Sequence, residues 1–214
     1  VLAVAGRDAR PAAVAAVQPA CLLPEYIQFR NNEMYIAGRQ IPLKNQQHIY
    51  IIGAGKAAAA MAQVTEKILG NMIREGFIVT KYNHALPLLI ISHMEAAHPV
   101  PDENSLQAAE RIKAILQKAT EADIVICLLS GGASSLLEGI PASISLQDIK
   151  QLFQQLLNSG ANIAEMNTVR KHISTLKGGQ LLRYAPASTW FSFIISDVPG
   201  DNPEVIAGGP TTAD

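Results

Sequence analysis

The chain has 214 residues, of which 49% are hydrophobic and 16% are charged, and its formal net charge is −1 at pH 7. A chain of this length buries roughly 70% of the surface of its unfolded state, so it can form a core without disulfide bonds or a structural metal. The composition excludes a disordered or fibrous protein. The near-zero charge removes the general attraction to phosphate backbones on which nucleic-acid-binding proteins depend, so we expect no nucleic-acid partner.

The cysteines and the first residues of the chain bear on its location. Cys21 and Cys127 are too few for a disulfide framework, and Cys127 lies in an apolar run where a thiol packs as a small hydrophobic group. The opening VLAVAGRDARPAAVAAV contains arginines and no uninterrupted apolar core, so it predicts neither a signal peptide nor a membrane-spanning helix. We expect a cytoplasmic protein without membrane contact. Because the chain does not begin with Met, we also expect it to be part of a longer gene product.

In chain order, residues 1–47 form a less regular lead-in, and the pattern becomes regular after them. The lead-in predicts an alanine-rich helix near residues 11–18 and a small hairpin that turns at Gly38. From His48 onward, short apolar runs alternate with segments of helical period, which is typical of a parallel sheet covered by helices. The predicted strands are HIYII (48–52), FIVT (77–80), LLIIS (88–92), IVICLL (124–129) and TWFSFIIS (189–196). Their nearly continuous hydrophobicity indicates burial on both faces, and we predict an α/β fold, a Rossmann-like three-layer α/β/α sandwich with a mainly parallel sheet.

Amphipathic helices are predicted between the last three of these strands. One carries apolar residues at helical spacing over 108–119, with Asp102 or Asn104 as its cap. A second begins at Ser145 and Asp148, which form a capping-box pattern. A third, roughly 162–174, has an apolar face and a separate polar cluster. With no evident linker, we predict one α/β domain over residues 1–214.

The first segment that could carry chemistry is IIGAGKAAAAM (51–61), in which a strand runs through Gly53 and Gly55 into an alanine-rich helix. Glycines let backbone amides approach an anionic group at a helix N-terminus, and Lys56 adds a cation in the turn itself. As a dinucleotide fingerprint the segment is weak, because the next predicted strand ends in Thr80 and Lys81 rather than in an acidic residue for a ribose. The plainer interpretation is a tight turn with an exposed lysine.

The second segment is ICLLSGGASSLLEG (126–139), another strand that ends in small residues. In open parallel sheets the carboxyl edge is where ligands bind. Glycine amides and serine hydroxyls together suit a phosphate or carboxylate, and the residues that supply them are Ser130, Gly131, Gly132, Ser134 and Ser135. No GK[ST] follows, so this is not a Walker A loop, and without GxSxG a hydrolase with Ser134 as nucleophile is a weak alternative. A turn that only packs is the plainer interpretation.

The third segment is NTVRKHISTLKGGQLLR (167–183), whose polar residues gather on one helix face and just after it. Cationic and amide groups of this kind can hold a triphosphate, and they are Asn167, Arg170, Lys171 and Lys177. A solvated helix face explains them about equally well.

The fourth segment is FIISDVPGDNPEVIAGGPT (193–211), in which a buried strand ends at Asp197 and Asp201 follows a Pro-Gly turn. A carboxylate at a strand end can hold Mg²⁺ or accept a substrate proton, and we favour that function for Asp197 and leave Asp201 open. His98, in the loop HPVPDENS (98–105), could face the same edge, but a structural histidine is the more ordinary interpretation.

Together these segments resemble one family, the type 2 glycerate kinases. The resemblance runs in the family's order through GAGKAAAAM, HPVPDENS, LLSGGASSLL, NTVRKHISTLKGGQLL and ISDVPGDNPEVIAGGPT, and it covers most of residues 48–214. Two departures are visible, Ala133 where a third glycine is common and Gly208 where a serine is common. Neither removes a charged group.

The resemblance implies transfer of a phosphoryl group from ATP, with Mg²⁺, to the 2-hydroxyl of D-glycerate. Among the residues that fit this reaction, we assign Lys56 and Asp197 as catalytic, Asp197 and Asp201 as candidate metal ligands, and the glycines, serines, Asn167 and cations above as nucleotide or substrate ligands. Family members continue into a second domain, called MOFRL, which is the partner expected for this chain, so we expect the chain alone to be inactive. A homo-oligomer is also left open.

Two alternatives come from other classes of function. Members of this family have often been labelled hydroxypyruvate reductases, and Gly53-x-Gly55-x-x-Ala58 keeps an NAD(P)-dependent oxidoreductase open. A non-catalytic anion-binding domain is the other.

Overall fold

The computed structural model describes residues 16–43 and 47–212. They begin with helix α1 (Pro19–Tyr26) and a small antiparallel sheet of strands β1 (Ile27–Arg30), β2 (Glu33–Ile36) and β3 (Arg39–Ile41). Ala37 and Gly38 both adopt positive φ between β2 and β3, as a tight hairpin turn of this hand requires. The predicted hairpin is confirmed, and β1 is an additional strand. The predicted helix near 11–18 lies largely outside the described residues.

The rest of the chain alternates between strands and helices and builds the main sheet. Its elements are β4 (Ile49–Ala54), α2 (Ala58–Leu69), β5 (Ile73–Lys81), β6 (Ile91–Ala96), α3 (Glu103–Leu116), β7 (Ile124–Ser130), the one-turn helix α4 (Ala133–Leu136), α5 (Leu146–Asn158), α6 (Ile163–Ile173) and β8 (Thr189–Ile195). Short 3₁₀ segments cover Gly70–Met72, Gln180–Tyr184 and Ile206–Gly208. All pairs in this sheet are parallel and the strand order is β6-β5-β4-β7-β8. The α/β prediction is therefore confirmed.

Period-two alternation along the central strands divides the core into two layers. In β4, Ile49 and Ile51 pack on the side of α2 and the small antiparallel sheet, whereas Tyr50 and Ile52 pack on the side of α3. Every residue of β4 and β7 is buried. Such strands require cover on both faces, which explains the three-layer arrangement.

One predicted strand begins too early. LLIIS (88–92) predicts a strand from Leu88, but β6 begins at Ile91. The carboxylate of Glu66, on α2, accepts hydrogen bonds from the backbone N–H groups of Leu89 and Ile90, the latter at 2.7 Å. These amides are thus satisfied outside the sheet, and the chain joins the ladder only afterwards.

The helix starts follow their predicted caps. Asp102 accepts a hydrogen bond from the Ser105 backbone N–H at 3.1 Å and caps α3, and Ser145 and Asp148 form a capping box at α5. At α6, for which the sequence predicts no cap, Asn162 and Glu165 also form a capping box. By contrast, α5 buries only its first turn among the described side chains, at Leu146 and Ile149, and Leu157 is 63% exposed.

The strand order places a topological switch between β4 and β7. From β4 the chain proceeds outward to β5 and β6 on one side, and later to β7 and β8 on the other. Ligands of open α/β sheets bind at the carboxyl ends of the two strands that flank such a switch. None of the described helices is long and apolar enough to cross a membrane.

Candidate active site

Two small-residue turns, after β4 and after β7, are held together at this switch. The Ser130 hydroxyl accepts a hydrogen bond from the Ala57 N–H at 3.0 Å, and the Lys56 N–H donates to the Gly131 carbonyl at 2.9 Å. Because both bonds link the turns directly, the backbone that carries Lys56 is fixed by the backbone of the second turn. The Lys56 side chain itself is exposed.

Gly53 and Gly55 serve this close approach of the two turns. A Cβ on Gly53 would lie 2.7 Å from the Leu128 carbonyl oxygen, and one on Gly55 would collide with the Ser130 hydroxyl. Both glycines are buried, and Gly55 has a φ of +132°. Packing between β4 and β7 therefore accounts for these two glycines, which the sequence predicts as ligand contacts.

Gly131 and Gly132 instead adjoin charged and polar side chains. A Cβ on Gly131 would collide with the carboxylate of Asp197, which follows β8. A Cβ on Gly132 would lie 2.9 Å from His98 Cδ2 and 3.3 Å from Lys56 Cε. A cation, an imidazole and a carboxylate from three separate segments thus surround two consecutive glycines at the carboxyl edge.

His98 is part of this group and not a core histidine remote from it. Its pKa lies below the ordinary value, first because of burial and then because Lys56 and Lys81 repel a second positive charge, while Asp197 partly opposes them. The sequence favours a structural role for His98. The signal that could have revealed its position was the loop before α3, which leaves the carboxyl end of β6.

Asp197 and Asp201 were predicted as possible metal ligands. Asp197 is exposed next to Gly131, while Asp201 lies in the following turn, where its backbone N–H donates to the Val198 carbonyl at 3.1 Å. Within residues 16–43 and 47–212, no three Asp, Glu, His or Cys side chains are grouped as a metal centre. Mg²⁺ in phosphoryl-transfer sites is commonly held by one or two carboxylates and the substrate phosphates, so an exposed carboxylate such as Asp197 fits that use.

Helix α6 reaches the second turn through Arg170. The guanidinium stacks over the Phe153 ring of α5 at 4.5 Å, and its Nη2 lies 3.5 Å from the Ser134 carbonyl oxygen. Asn167 lies three residues before Arg170 and four before Lys171, so it adjoins both residues along the helix surface. The structure therefore brings Arg170 to the turn, with Asn167 and Lys171 beside it on α6.

Lys177 has a different environment from the one that the sequence predicts. Its ammonium forms an ion pair with Glu138 at 2.6 Å, and the two side chains are 2% and 3% exposed. Burial lowers the pKa of Lys177, and the attraction of Glu138 opposes that shift. Lys177 is thus paired with a buried carboxylate, and not with the phosphate that the sequence predicts as its partner. The sequence does not single out Glu138, because a lone Glu at the end of an apolar run gives no signal.

The serines of the second turn also differ in exposure. Ser130 and Ser135 are buried, and Ser135 Oγ donates to the Gly132 carbonyl at 3.3 Å, whereas Ser134 is half-buried. Ser130 and Ser135 therefore shape the turn, whereas the side chain of Ser134 is partly accessible.

A separate apolar groove of about 290 Å³ lies between α1 and β8. Tyr26 and Phe191 are among the residues that line it, and the described lining includes no Asp, Glu, Lys, Arg or His. Acid–base and charge-stabilising chemistry therefore points to the polar site at the switch.

Comparisons with known proteins place the chain in a family. Residues 6–214 match the family described as a domain of unknown function, DUF4147. A glycerate 2-kinase of Pyrococcus horikoshii is 43% identical over 202 residues, which cover 94% of this chain and 45% of the relative. A relative from Agrobacterium vitis with a provisional hydroxypyruvate reductase name is 48% identical over 81% of this chain and 40% of its own length.

A solved structure supports the same placement. The crystal structure of glycerate kinase from Thermotoga maritima matches with a TM-score of 0.80 and 37% identity, covering 94% of this chain and 45% of that one. The chain spans less than half the length of each of these relatives. It belongs to the DUF4147 family and is a homologue of the glycerate 2-kinases.

Proposed function

We propose that the full-length protein transfers the γ-phosphoryl group of ATP to the 2-hydroxyl of D-glycerate, giving 2-phosphoglycerate and ADP. The observation that carries the proposal is the grouping of Lys56, His98 and Asp197 around Gly131 and Gly132 at the switch point. Phosphoryl transfer depends mostly on positioning and on neutralising charge, which glycine amides, cations and a carboxylate can supply. The names of the Pyrococcus and Thermotoga relatives support the choice of substrate.

The roles follow from what each group can do. In the transfer, a bond forms between the glycerate oxygen and phosphorus, the bond from phosphorus to the ADP oxygen breaks, and the hydroxyl proton must leave. Lys56 stabilises negative charge on the transferring group or on the substrate carboxylate. The turn at 130–135, with Gly131, Gly132 and Ser134 as its accessible members, binds an anionic group, and Asn167, Arg170 and Lys171 add positive charge and an amide beside it.

Asp197 accepts the hydroxyl proton or binds Mg²⁺, with Asp201 as a helper. Bound Mg²⁺ supplies neutralisation of phosphate charge. The exposed Asp197 carboxylate fits that use because it leaves room for phosphate oxygens and water.

The proposal includes a second, MOFRL-type domain as the partner of this α/β domain, and a cytoplasmic location. The relatives are more than twice as long as the matched region. Small-molecule sites are often found between domains, and a site open on one side loses positioning and exclusion of water. Residues 1–214 alone are therefore expected to fold and to show little turnover.

The test is a coupled ADP-release assay on the full-length protein with D-glycerate, ATP and Mg²⁺, run beside the isolated residues 1–214. Glycerate-dependent ADP release by the full-length protein supports the proposal. Its absence, together with hydroxypyruvate-dependent oxidation of NADH or NADPH, would instead support the name of the Agrobacterium relative. Equal turnover by the isolated chain would refute the role of the second domain.

A further inference from the structure

Three side chains of charged residues form a cluster behind the second turn, in which Glu138 and Lys177 are buried and Arg170 is half-buried. Glu138 lies just after α4, and its Oε1 accepts the hydrogen bond from Lys177 Nζ. Arg170 is close enough for Glu138 to act on its charge, and the same carboxylate acts on Lys177. One carboxyl group therefore faces an ammonium and a guanidinium group, and the formal charge of the three groups is positive.

The pairing in this cluster is incomplete. Glu138 Oε2 and Arg170 Nε are buried and have no hydrogen-bond partner among the described residues. Burial lowers the pKa of Arg170, and Glu138 opposes that shift. A buried polar atom without a partner is costly, so two such atoms on oppositely charged groups suggest that they are held for a purpose other than stability.

The cluster joins the second turn, α6 and the segment 208–211, which contains the Gly-Pro-Thr sequence. Arg170 Nη2 lies near the carbonyl oxygen of Ser134 in the turn. The aliphatic part of the Lys177 side chain packs against Gly208, where an added Cβ would lie 2.8 Å from Lys177 Cδ. Next to Lys177, the N–H groups of Gly178 and Gly179 donate to the carbonyls of Gly208 and Gly209 at 2.9 and 2.8 Å. A change at Glu138 would therefore act on the turn, on α6 and on the Gly-Pro-Thr segment together.

We propose that Glu138 is a positioning residue: its carboxylate neutralises Lys177 and holds the Arg170 guanidinium beside the 130–135 turn, so that the remaining positive charge serves an anionic group of a substrate. This inference rests on the proposed function. The anionic group is a phosphate of ATP or the carboxylate of D-glycerate, which share the oxygen acceptors that a guanidinium binds. Glu138 acts through Arg170 and does not contact the reacting atoms.

The test separates positioning from a purely structural role in the full-length protein. In Glu138→Gln, the two cations lose their counter-charge, so we expect a lower Tm and a KM raised at least about fivefold for ATP or for D-glycerate. In Glu138→Gln/Lys177→Met, the buried ammonium is also removed, so the Tm should recover. The KM should remain raised, because Arg170 still lacks its carboxylate. If the KM returns to the parent value together with the Tm, the positioning role is refuted.

The two substrates form separate arms of this test. A raised KM for ATP alone assigns the phosphate, and a raised KM for D-glycerate alone assigns the carboxylate. An unchanged KM for both in Glu138→Gln would overturn the inference.

A second set of variants protects the test against misfolding. Glu138→Asp keeps the charge but shortens the side chain, and Arg170→Gln removes the guanidinium from a half-buried position. If Glu138 acts through Arg170, Glu138→Asp and Arg170→Gln each raise the KM for the same substrate. The double variant Glu138→Asp/Arg170→Gln then has a KM no higher than that of Arg170→Gln alone. Additive effects would overturn the inference. If the parent protein lacks kinase turnover, the proposed function fails separately. Equilibrium binding of ATP and of D-glycerate to these variants then tests the inference. The Kd of one substrate should rise in each single variant and should rise no further in the double variant than in Arg170→Gln.

Discussion

The carboxyl edge of the sheet and the helix pair α5–α6 both contribute residues to the candidate active site, but they hold those residues differently. At the sheet edge, Lys56 and Gly131 are fixed by hydrogen bonds between two turns that follow fully buried strands. On the helix pair, the described side chains of α6 are half-buried or exposed, and α5 buries only its first turn. Arg170 is the observed link from α6 to the edge.

This difference indicates a division of labour. A group that must stabilise a transition state has to be held by rigid backbone, since misplacement of about 1 Å can lower a rate by about a hundredfold. A group that only attracts a charged substrate can act from a less constrained helix. We therefore expect larger losses of turnover from changes at the sheet edge than from changes on α6.

The largest effect is expected at Lys56 and Asp197. Either Lys56→Ala or Asp197→Ala should lower kcat/KM of the full-length protein for the proposed reaction at least about a hundredfold, because each removes a charged group expected to act in the transition state. Steady-state kinetics with D-glycerate measure this, and an unchanged Tm shows that the fold is intact. Near-normal turnover in both variants would refute their catalytic assignment.

The next effect is on stability, at the link between the turns. Ser130→Ala removes the acceptor of the Ala57 N–H, and leaving that N–H without a partner should cost about 1–2 kcal/mol of the free energy of unfolding. Chemical denaturation measures the change. Ser159→Ala is the matched control, because Ser159 is exposed and its hydroxyl bonds only locally, to Leu156 O and Ala161 N. Equal losses in the two variants would contradict a special role for Ser130.

A smaller change in turnover tests the contact between the second turn and Asp197. In Gly131→Ala the new Cβ occupies the space of the Asp197 carboxylate, which is exposed and can rotate away. We expect kcat to fall about tenfold, since the carboxylate leaves its position, with little change in Tm. Gly160→Ala is the control: its Cβ meets no atom, although its φ of +76° makes alanine cost about 1 kcal/mol. Full activity of Gly131→Ala would argue against the observed placement of Asp197 in the working site.

The smallest effect is expected on α6. Asn167→Ala and Lys171→Ala should each raise a substrate KM only about two- to fivefold and leave kcat nearly unchanged, because they add attraction rather than transition-state contacts. The same kinetics check this at low and high salt, since the contribution of the half-buried Lys171 should shrink as salt screens it. A hundredfold loss of kcat in either variant would show that α6 contributes as much to turnover as the sheet edge does, and would contradict the difference expected between them.

Much of this architecture follows from local pattern. The five strands of the main sheet, the hairpin at Gly38 and the capping box at Ser145 were predicted from the sequence, because burial on two faces and orphan amides at helix starts leave strong local signals. The start of β6 was wrong, because Glu66, more than 20 residues away, captures its first amides. Such a contact leaves no trace in the strand's own residues.

The sequence by itself determined which residues could meet: Lys56, Gly131 and Asp197 each follow an apolar strand, and parallel strands bring their carboxyl ends to one edge. Only the tertiary structure decided which of the candidate charges remain available. Lys177 reads as a phosphate ligand in the sequence, but Glu138 engages it in the interior, while His98 reads as structural and lies beside Lys56. The physical reason is that backbone pairing depends on local periodicity. The state of a charge depends instead on burial and on partners that the fold brings from distant parts of the chain.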